Sequence, residues 1–478
     1  MKKILIYFLA ITLIFSTFIS CNQTPPETSK SPETTTPVPE ETEPLPETEL
    51  IIDFAHINGV DISEYTIVYS NDELDYNQRA AKYIKNQIKE RTGVSVALKA
   101  DTAKESTYEI LVGETNRQLS KDLDADTNGF EFAITASETK IALEGDYFII
   151  AAAAYYFVET YVTGECFDSK VSMEESVHTP IVEDPDNFIL LIGDGMGVYQ
   201  TKIFDYIDTP TGVATDNEDF FYGYLFPYQG FSKTNSLSGT TDSAAGGTAL
   251  ATGYKTINKY IGKDKNLNDV QSLTELADSL GKATAVMSTE ALTGATPASF
   301  SAHANLRTDT DVITASQALL TRTLLRTTEN SFSDVINTDT INKVLNKLNE
   351  NENGFFMMYE EAYIDKHCHN NDFENTFKAV LRFNQAIGTF MEFAFYNPNT
   401  FVIITADHET GKLTPDGDTI KFHSENHSSA DVPIFAYGVG AEIFNEVTIE
   451  NVQIPKTIAK FWGKEDFGDV TSNYPPLN

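Results

Sequence analysis

Three apolar runs in the second half of the chain each end next to an acidic residue. The runs are 188–192, 355–359 and 401–405, and the residues that follow them are Asp194, Glu360 and the pair Asp407 and His408. Continuous apolar runs of this length are typical of parallel strands that are buried on both faces. Ligands of such sheets bind outside the carboxyl ends of the strands. The pattern therefore predicts an α/β fold with a mostly parallel central sheet and a functional site at these strand ends.

Length and charge exclude several classes of protein. The chain has 478 residues, of which 41% are apolar, and at roughly 100–200 residues a domain it is long enough for two to four domains. Its 34 lysines and arginines face 70 aspartates and glutamates, and the net charge of −36 repels polyanions. We therefore expect no nucleic-acid-binding surface. The chain has three cysteines, which are too few for a disulfide scaffold. No two of them form a Cys-x-x-Cys pair, which argues against a paired-cysteine zinc site.

The first residues have the pattern of an export signal. Lys2 and Lys3 precede an apolar run over 4–15, which is shorter than a membrane-spanning helix needs. The segment ending in Cys21 resembles a bacterial lipobox, which implies a lipoprotein signal peptide over 1–20 and a lipid on Cys21. The linker over 21–50 is rich in Thr, Pro and Glu and is expected to be an extended spacer. We expect an exported protein that is lipid-anchored to the cell envelope; the alternative is a plain secretory signal and a secreted or periplasmic protein.

Residues 51–183 alternate between strand patterns and amphipathic helix patterns, which predicts a small α+β domain. Tyr65–Tyr69 is typical of a strand, and 75–92 places alanines and isoleucines on one helical face before Gly93. The stretches 91–94 and 110–114 resemble the accessory domain of hexosaminidases and α-glucuronidases. That resemblance implies glycan contact by this domain. The alternative is a module that packs against or positions the second domain, which covers 184–478.

Ser243 lies in a stretch of small residues, Thr240–Ala249. If Ser243 is at the N-terminus of a helix, unpaired backbone amides and the positive end of the helix dipole favour an anion at its hydroxyl. The alternative is a serine that only caps the helix.

The segment around Thr296 contributes a candidate arginine. Pro297 is expected at the first position of a helix that runs through His303 and Arg307. The forked guanidinium of Arg307 is suited to clamp two oxygens of a phosphate. The alternative is an ordinary surface arginine.

Histidines and carboxylates gather towards the end of the sequence. Six of the eight histidines follow residue 300. Asp365 and His369 are four residues apart and share a face if this segment is helical, which is a metal-ligand spacing. Further candidates at strand ends are Glu360, Asp407, His408 and His427. Together these residues predict a metal cluster.

These motifs, in this order, resemble those of the alkaline phosphatases over about 186–463. The matching segments are Gly193–Gly197, Asp242–Ala244, Ala295–Pro297 with Arg307, Glu360, Asp365–Lys366 with His369, Thr405–His408 and His427. The resemblance implies an alkaline-phosphatase-like three-layer sandwich with a mostly parallel central sheet, preceded by the small α+β domain. It also implies a homodimer, because dimers are common in that family.

The resemblance further implies a role for each matching residue. Ser243 is expected to be the nucleophile and Arg307 the phosphate clamp. One Zn²⁺ is expected on Asp365, His369 and His427, a second Zn²⁺ on Asp194, Asp407 and His408, and one Mg²⁺ on Asp194, Thr296 and Glu360. His423 is close to His427 in sequence, but the spacing to the following strand favours His427. The chain departs from the family at Gly294, where an Asp or His is usual, so the magnesium site lacks that outer partner.

The charges agree with this interpretation. Four carboxylates in one pocket repel a phosphate dianion, whereas two Zn²⁺ and one Mg²⁺ bring six positive charges and leave about +2. We therefore predict an exported, metal-dependent phosphomonoesterase that forms a phosphoserine and releases inorganic phosphate from small phosphate monoesters. The alternatives are a phosphodiesterase or sulfatase of the same superfamily, or an inactive surface lipoprotein that binds glycan or phosphate.

Overall fold

The computed structural model describes residues 54–72, 74–123, 129–206, 220–327, 338–417 and 419–478. The predicted signal peptide over 1–20, the predicted lipid attachment at Cys21 and the linker over 21–50 lie outside the described residues. Within the described ranges, no helix has both the length and the apolar character that crossing a membrane requires.

The first part of the described chain contains a six-stranded sheet with helices packed on it. In chain order its strands, with those of a small three-stranded sheet, are β1 (Ala55–Ile57), β2 (Val60–Asp61), β3 (Tyr65–Tyr69), β4 (Ala97–Ala100), β5 (Tyr108–Val112), β6 (Phe132–Ala136), β7 (Lys140–Glu144), β8 (Phe167–Ser169) and β9 (Ser176–His178). The helices are α1 (Tyr76–Thr92), α2 (Gln118–Lys121) and α3 (Ile150–Tyr161). The sheet order is β4-β3-β5-β7-β6-β9, and β6 is antiparallel to both of its neighbours.

Local sequence signals place the first elements correctly. The predicted strand Tyr65–Tyr69 is confirmed as β3, and the predicted helix over 75–92 is confirmed as α1. Gly93 ends α1 with a φ of +75°, and its N–H donates to the Lys89 carbonyl oxygen. The buried face of α1 includes Ala80, Ala81, Ile84 and Ile88.

The second part is built around an eight-stranded central sheet. Its strands and the short strands beside it are β10 (Asn187–Gly193), β11 (Tyr228–Lys233), β12 (Ala283–Ser288), β13 (Thr323–Thr327), β14 (Phe355–Glu361), β15 (Thr400–Thr405), β16 (Glu409–Thr410), β17 (Thr414–Asp416), β18 (Thr419–Lys421), β19 (His427–Ser428), β20 (Val432–Tyr437) and β21 (Thr448–Glu450). The central order is β13-β12-β14-β10-β15-β20-β11-β21, in which β20 runs antiparallel to both neighbours and the other pairs are parallel. The predicted mostly parallel sheet is thus confirmed.

Helices cover both faces of the central sheet. They are α4 (Val198–Thr201), α5 (Ser243–Thr252), α6 (Leu273–Ser279), α7 (Ala295–Ser301), α8 (Thr310–Gln317), α9 (Thr338–Leu348), α10 (Tyr363–Cys368), α11 (Phe373–Tyr396) and α12 (Gln453–Phe461). Ile189 and Leu191 of β10 belong to the core that contains α11, whereas Phe188, Leu190 and Ile192 belong to the core that contains α6 and α12. Both faces of β10 are apolar because both are buried. The predicted three-layer sandwich is confirmed.

The two sheets share hydrophobic core. Helix α3 packs against α11, and one buried cluster includes residues from both sheets. The Tyr83 ring of α1 stacks on Tyr396 of α11 with centroids 4.2 Å apart. Arg79 donates to Glu392 from Nε to Oε1 over 2.9 Å. The predicted boundary at 183–184 therefore lies between two sheets whose helices α3 and α11 pack together in one core.

The segment that carries Arg307 folds differently from the prediction. Pro297 is the third residue of α7, and the helix ends at Ser301, before His303 and Arg307. Ala302 is extended, with φ −156° and ψ 167°. Backbone hydrogen bonds then tie 304–307 to the loop over 259–261. Pairing with a distant loop overrides the local helical pattern, so Arg307 lies in a loop.

Candidate active site and metal centre

The carboxyl ends of β14, β10 and β15 bring three carboxylates to one edge of the central sheet. In register, Ile192 of β10 pairs with Glu360 of β14 on one side and with Thr405 of β15 on the other. Asp194 follows β10, and Asp407 follows β15. Because the three strands are neighbours and parallel, their ends converge as the apolar runs predicted.

Two glycines allow the surrounding elements to approach these carboxylates. Gly195 has a φ of +74°, and a Cβ there would lie 2.9 Å from the Cα of Asp365. A Cβ at Gly246, in the first turn of α5, would lie 2.9 Å from the carbonyl oxygen of Asp407. Any larger residue would push α10 or α5 away from the strand ends.

Asp365, His369 and His427 form a first set of ligand-type side chains. His369 Nε2 lies 3.1 Å from His427 Nε2 and 3.3 Å from Asp365 Oδ2, and His427 Nε2 lies 3.5 Å from Asp365 Oδ1. The other ring nitrogens contact backbone oxygens, with His369 Nδ1 at 2.5 Å from Glu425 and His427 Nδ1 at 2.8 Å from Thr241. Both rings are thereby held with Nε2 towards the shared centre, as in metal sites.

Asp194, Asp407 and His408 form a second set. His408 Nε2 lies 3.5 Å from Asp194 Oδ1 and 3.3 Å from Asp407 Oδ2. His408 Nδ1 lies 3.2 Å from the hydroxyl of Thr410, which also donates to Asp365 over 2.5 Å. Thr410 therefore orients one residue of each set.

The two sets adjoin. The rings of His408 and His427 are stacked with centroids 3.6 Å apart. Ligand atoms of Asp365, His408 and His427 lie within 4.8 Å of one another, and so do those of Asp194, Asp407 and His408. The structure thus brings together the six residues expected to bind the two zinc ions.

A third group of oxygen atoms is buried without hydrogen bonds. Among the described residues, the buried oxygens that lack a hydrogen-bond partner include Asp194 Oδ1, Thr296 Oγ1, Glu360 Oε1 and Asp407 Oδ2. Buried polar atoms nearly always have partners, and each exception needs an explanation such as an ion. Carboxylate and hydroxyl oxygens suit a hard divalent cation. The residues present therefore fit the metals that the sequence implied.

Burial and mutual repulsion disfavour the charged carboxylates of this centre when no cation is bound. Burial, followed by the charges of Asp407 and Asp365, raises the pKa of Asp194 well above its ordinary value. Burial and the charge of Glu290 do the same to the pKa of Glu360. Burial and the charge of Asp365 raise the pKa of Asp407 from 3.8 to about 7. Bound cations would relieve this repulsion.

The surroundings of His408 and His369 shift the pKa values of these two histidines in opposite directions. Burial, together with the nearby His427, lowers the pKa of His408 to about 3, so this imidazole is neutral and its nitrogen is available as a ligand. The hydrogen bond to Asp365 raises the pKa of His369 to about 9. A metal at the first set must displace this proton, which makes binding there dependent on pH.

Ser243 is the first residue of α5, directly beside the metal-ligand residues. Its hydroxyl oxygen lies 3.2 Å from His408 Nε2. Asp242 is the helix cap, because its side chain accepts a hydrogen bond of 3.0 Å from the Ala245 N–H. Since the cap is supplied by Asp242, the Ser243 hydroxyl is not needed to cap the helix.

Arg307 lies at the rim of the same site. Its Nη1 is 3.4 Å from Asp242 Oδ2, and its side chain is 36% exposed. The loop holds it there through the Arg307 N–H, which donates to the Lys259 carbonyl oxygen over 2.8 Å. The guanidinium is thus next to the residue that precedes Ser243, partly open to solvent and to a ligand.

The structure distinguishes His427 from its sequence neighbour His423 and adds two residues to the site. His423 Nε2 lies 2.7 Å from the Thr414 hydroxyl and is not among the ligand-type residues that cluster, which supports the choice of His427. Thr410 and Glu290 were not predicted to take part. For Thr410 the sequence did contain a signal: it is two residues after His408, and alternate residues of an extended segment point to the same side.

Comparisons with known proteins agree with this arrangement. The alkaline phosphatase family model matches 186–342 and 320–424, which together span half of the 478 residues. Alkaline phosphatase 4 of Bacillus subtilis (strain 168) is 29% identical over 337 residues, covering 58% of this chain and 71% of the relative. Alkaline phosphatase 3 of the same organism is 28% identical over 291 residues, covering 49% of this chain and 63% of the relative.

Solved structures show the same similarity. The alkaline phosphatase from the Antarctic bacterium TAB5 superposes with a TM-score of 0.52 at 28% identity, covering 58% of this chain and 98% of that chain. A mutant of that enzyme with Mg bound in the M3 site superposes with a TM-score of 0.50 at 27% identity, covering 59% and 98%. The family model, the relatives and the fold agree: this chain belongs to the alkaline phosphatase family of enzymes.

Proposed function

We propose that this chain is a metal-dependent phosphomonoesterase with Ser243 as its nucleophile. The observation that carries the proposal is the position of the Ser243 hydroxyl, which lies at the N-terminus of α5 and 3.2 Å from His408. The same His408 nitrogen lies 3.5 Å from Asp194 Oδ1 and 3.3 Å from Asp407 Oδ2, two buried oxygens that lack hydrogen-bond partners among the described residues. An anion-binding helix terminus and a set of metal-type ligands thus face one nucleophile.

The proposed metal ligands follow from the three sets. Zn²⁺ would be held by Asp365, His369 and His427 and by Asp194, Asp407 and His408, and Mg²⁺ by Asp194, Thr296 and Glu360. The Mg-bound TAB5 mutant supports a magnesium site in a related enzyme. When bound, such cations offset the carboxylate charges, lower the pKa of a nearby hydroxyl and polarise a phosphoryl group.

Residues of this chain bind and orient the substrate and form the bond to phosphorus. The first N–H groups of α5 and the Arg307 guanidinium bind the phosphoryl oxygens and orient phosphorus towards Ser243. The Ser243 oxygen then forms a bond to phosphorus while the bond to the ester oxygen breaks. The serine proton passes through solvent to the departing alcohol. The oxygen of a water molecule next forms a bond to phosphorus while the bond between phosphorus and the Ser243 oxygen breaks. A proton from this water returns to the Ser243 oxygen, and inorganic phosphate is released.

A panel of three substrates tests the reaction class. The chain should be purified with Zn²⁺ and Mg²⁺ and assayed on an aryl phosphate, a bis-aryl phosphate and an aryl sulfate. We expect kcat/KM for the monoester to exceed that for the other two by at least about a hundredfold, because Arg307 and the α5 amides match a dianionic phosphoryl group. A faster diester or sulfate reaction would replace the proposal with the corresponding alternative, and no turnover would favour a binding protein.

Export and a lipid anchor are a separate proposal, which the start of the sequence supports. Lys2, Lys3, the apolar run over 4–15 and Cys21 have the order of a lipoprotein signal. We expect the full chain, expressed in a bacterium, to fractionate with membranes and to incorporate labelled palmitate. The Cys21→Ser variant should lose both properties. Equal membrane recovery of the two chains would contradict the anchor.

A further inference from the structure

Gly294 leaves a space at the proposed magnesium site that another side chain fills. A Cβ built on Gly294 would lie 1.8 Å from Oε1 of Glu290 and 2.3 Å from its Cδ. Two atoms cannot occupy positions that close. The Glu290 carboxylate therefore occupies the volume in which a side chain at position 294 would begin, the position where the family usually carries Asp or His.

Backbone and side-chain contacts connect Glu290 to Glu360. Glu290 follows β12, whose last residue, Ser288, pairs in register with Glu360 of β14. The Ser288 hydroxyl donates to Glu360 Oε2 over 2.5 Å and accepts from the Glu290 N–H over 3.0 Å. One serine thus links the backbone of Glu290 to a proposed magnesium ligand.

The Glu290 carboxylate is mostly buried and is paired with a lysine. Its side chain is 17% exposed, and its Oε2 accepts a hydrogen bond of 2.6 Å from Lys366 Nζ. Lys366 also lies over the Tyr363 ring, 4.4 Å from the centroid. The lysine binds Oε2, while Oε1 faces Gly294.

We infer that Glu290 lends its carboxylate to the magnesium site in place of the missing side chain at position 294, and that Lys366 competes with the cation for this carboxylate. The inference rests on the proposed function for the existence of that site. A carboxylate from four residues earlier in the sequence thus lies where a side chain at position 294 would begin. The competing explanation is that Glu290 and Lys366 form only a structural ion pair.

Charge predicts opposite effects for the two members of the pair. Glu290→Gln keeps the size of the side chain and removes a negative charge near the cation, so Mg²⁺ should bind more weakly. Lys366→Met removes a positive charge near the cation and frees the carboxylate, so Mg²⁺ should bind at least as tightly as in the unmodified chain. A purely structural pair predicts the same change for both variants, because either substitution breaks it.

The experiment measures Mg²⁺ binding to the zinc-loaded protein by isothermal titration and bound metal by elemental analysis. We expect Glu290→Gln to raise the Kd for Mg²⁺ by about 10–100-fold with unchanged zinc content. The double variant Glu290→Gly with Gly294→Asp should recover at least half of that loss, because it returns a carboxylate to position 294. Unchanged Mg²⁺ affinity in Glu290→Gln, or equal losses in Glu290→Gln and Lys366→Met, would overturn the inference.

The outcome for Glu290 is distinguishable from the outcome for the proposed function. An unmodified chain that hydrolyses monoesters but binds no Mg²⁺ would refute the role of Glu290 and leave the function standing. A chain that binds Mg²⁺ through Glu290 but hydrolyses no monoester would support the role of Glu290 and refute the proposed function. If Glu290→Gln fails to fold, a loss of Mg²⁺ affinity in Lys366→Met overturns the inference by itself.

Discussion

Ser243→Ala is expected to lower kcat/KM for an aryl phosphate by at least about a thousandfold, because it removes the atom that forms the bond to phosphorus. The fold should survive. Alanine is a good helix former, and the cap of α5 is supplied by Asp242. Among the described residues, the one hydrogen-bond contact of the hydroxyl is with His408 Nε2, at 3.2 Å. We expect the free energy of unfolding to change by at most about 1 kcal/mol.

Acid quenching gives a second readout for Ser243. Phosphate from a labelled monoester should remain covalently attached to the unmodified chain at low pH and should be absent from Ser243→Ala. Ser429→Ala is the matched control, since the Ser429 hydroxyl lies 2.8 Å from that of Thr240 and, within the described ranges, makes no hydrogen bond to the metal-ligand sets. The control should retain the unmodified rate and label. A Ser243→Ala variant that keeps a tenth of the rate would show that another group is the nucleophile.

Asp407→Asn is expected to change protein stability in opposite directions with and without metal. In the metal-free protein it removes one of several buried negative charges that repel each other, and the melting temperature should rise by about 4 °C, which corresponds to about 2 kcal/mol. In the presence of Zn²⁺ the same variant loses a ligand, and its melting temperature should fall below that of the unmodified chain.

The stability of the metal-free chain is also expected to depend on pH. The pKa of Asp407 is about 7 in the folded chain and 3.8 in its ordinary state, so the metal-free folded chain holds more protons than the unfolded chain between these values. Its free energy of unfolding must therefore fall as pH rises through this range, and Asp407→Asn should flatten the slope. Differential scanning fluorimetry from pH 4 to 8, with chelator or with Zn²⁺, measures both effects.

A surface carboxylate serves as the control for Asp407. Asp416 lies on the exposed strand β17, and Asp416→Asn should leave the melting temperature nearly unchanged with and without metal. The metal centre would be refuted if Zn²⁺ failed to stabilise the unmodified chain. It would also be refuted if Asp407→Asn lowered stability equally in both conditions, since a purely structural aspartate has no reason to respond to metal.

Local patterns in the sequence were sufficient for part of the site. The apolar runs before Asp194, Glu360 and Asp407 require strands that are buried on both faces, and parallel strands bring their carboxyl ends together. The four-residue spacing of Asp365 and His369 is likewise a local property, confirmed by the 3.3 Å contact at the end of α10. Such predictions succeed because periodicity and burial act along one element at a time.

The mostly parallel sheet and the polar residues at its strand ends were predictable from the sequence alone, because both depend on local hydrophobic patterning. Three features required the three-dimensional structure: the residue that caps α5, the position of Arg307 and the group that fills the space beside Gly294. Asp242 caps through a side chain, Arg307 is held by backbone pairing with a distant loop, and Glu290 turns its carboxylate towards Gly294. Each of these outcomes depends on contacts between segments whose relative positions are set by packing rather than by sequence spacing.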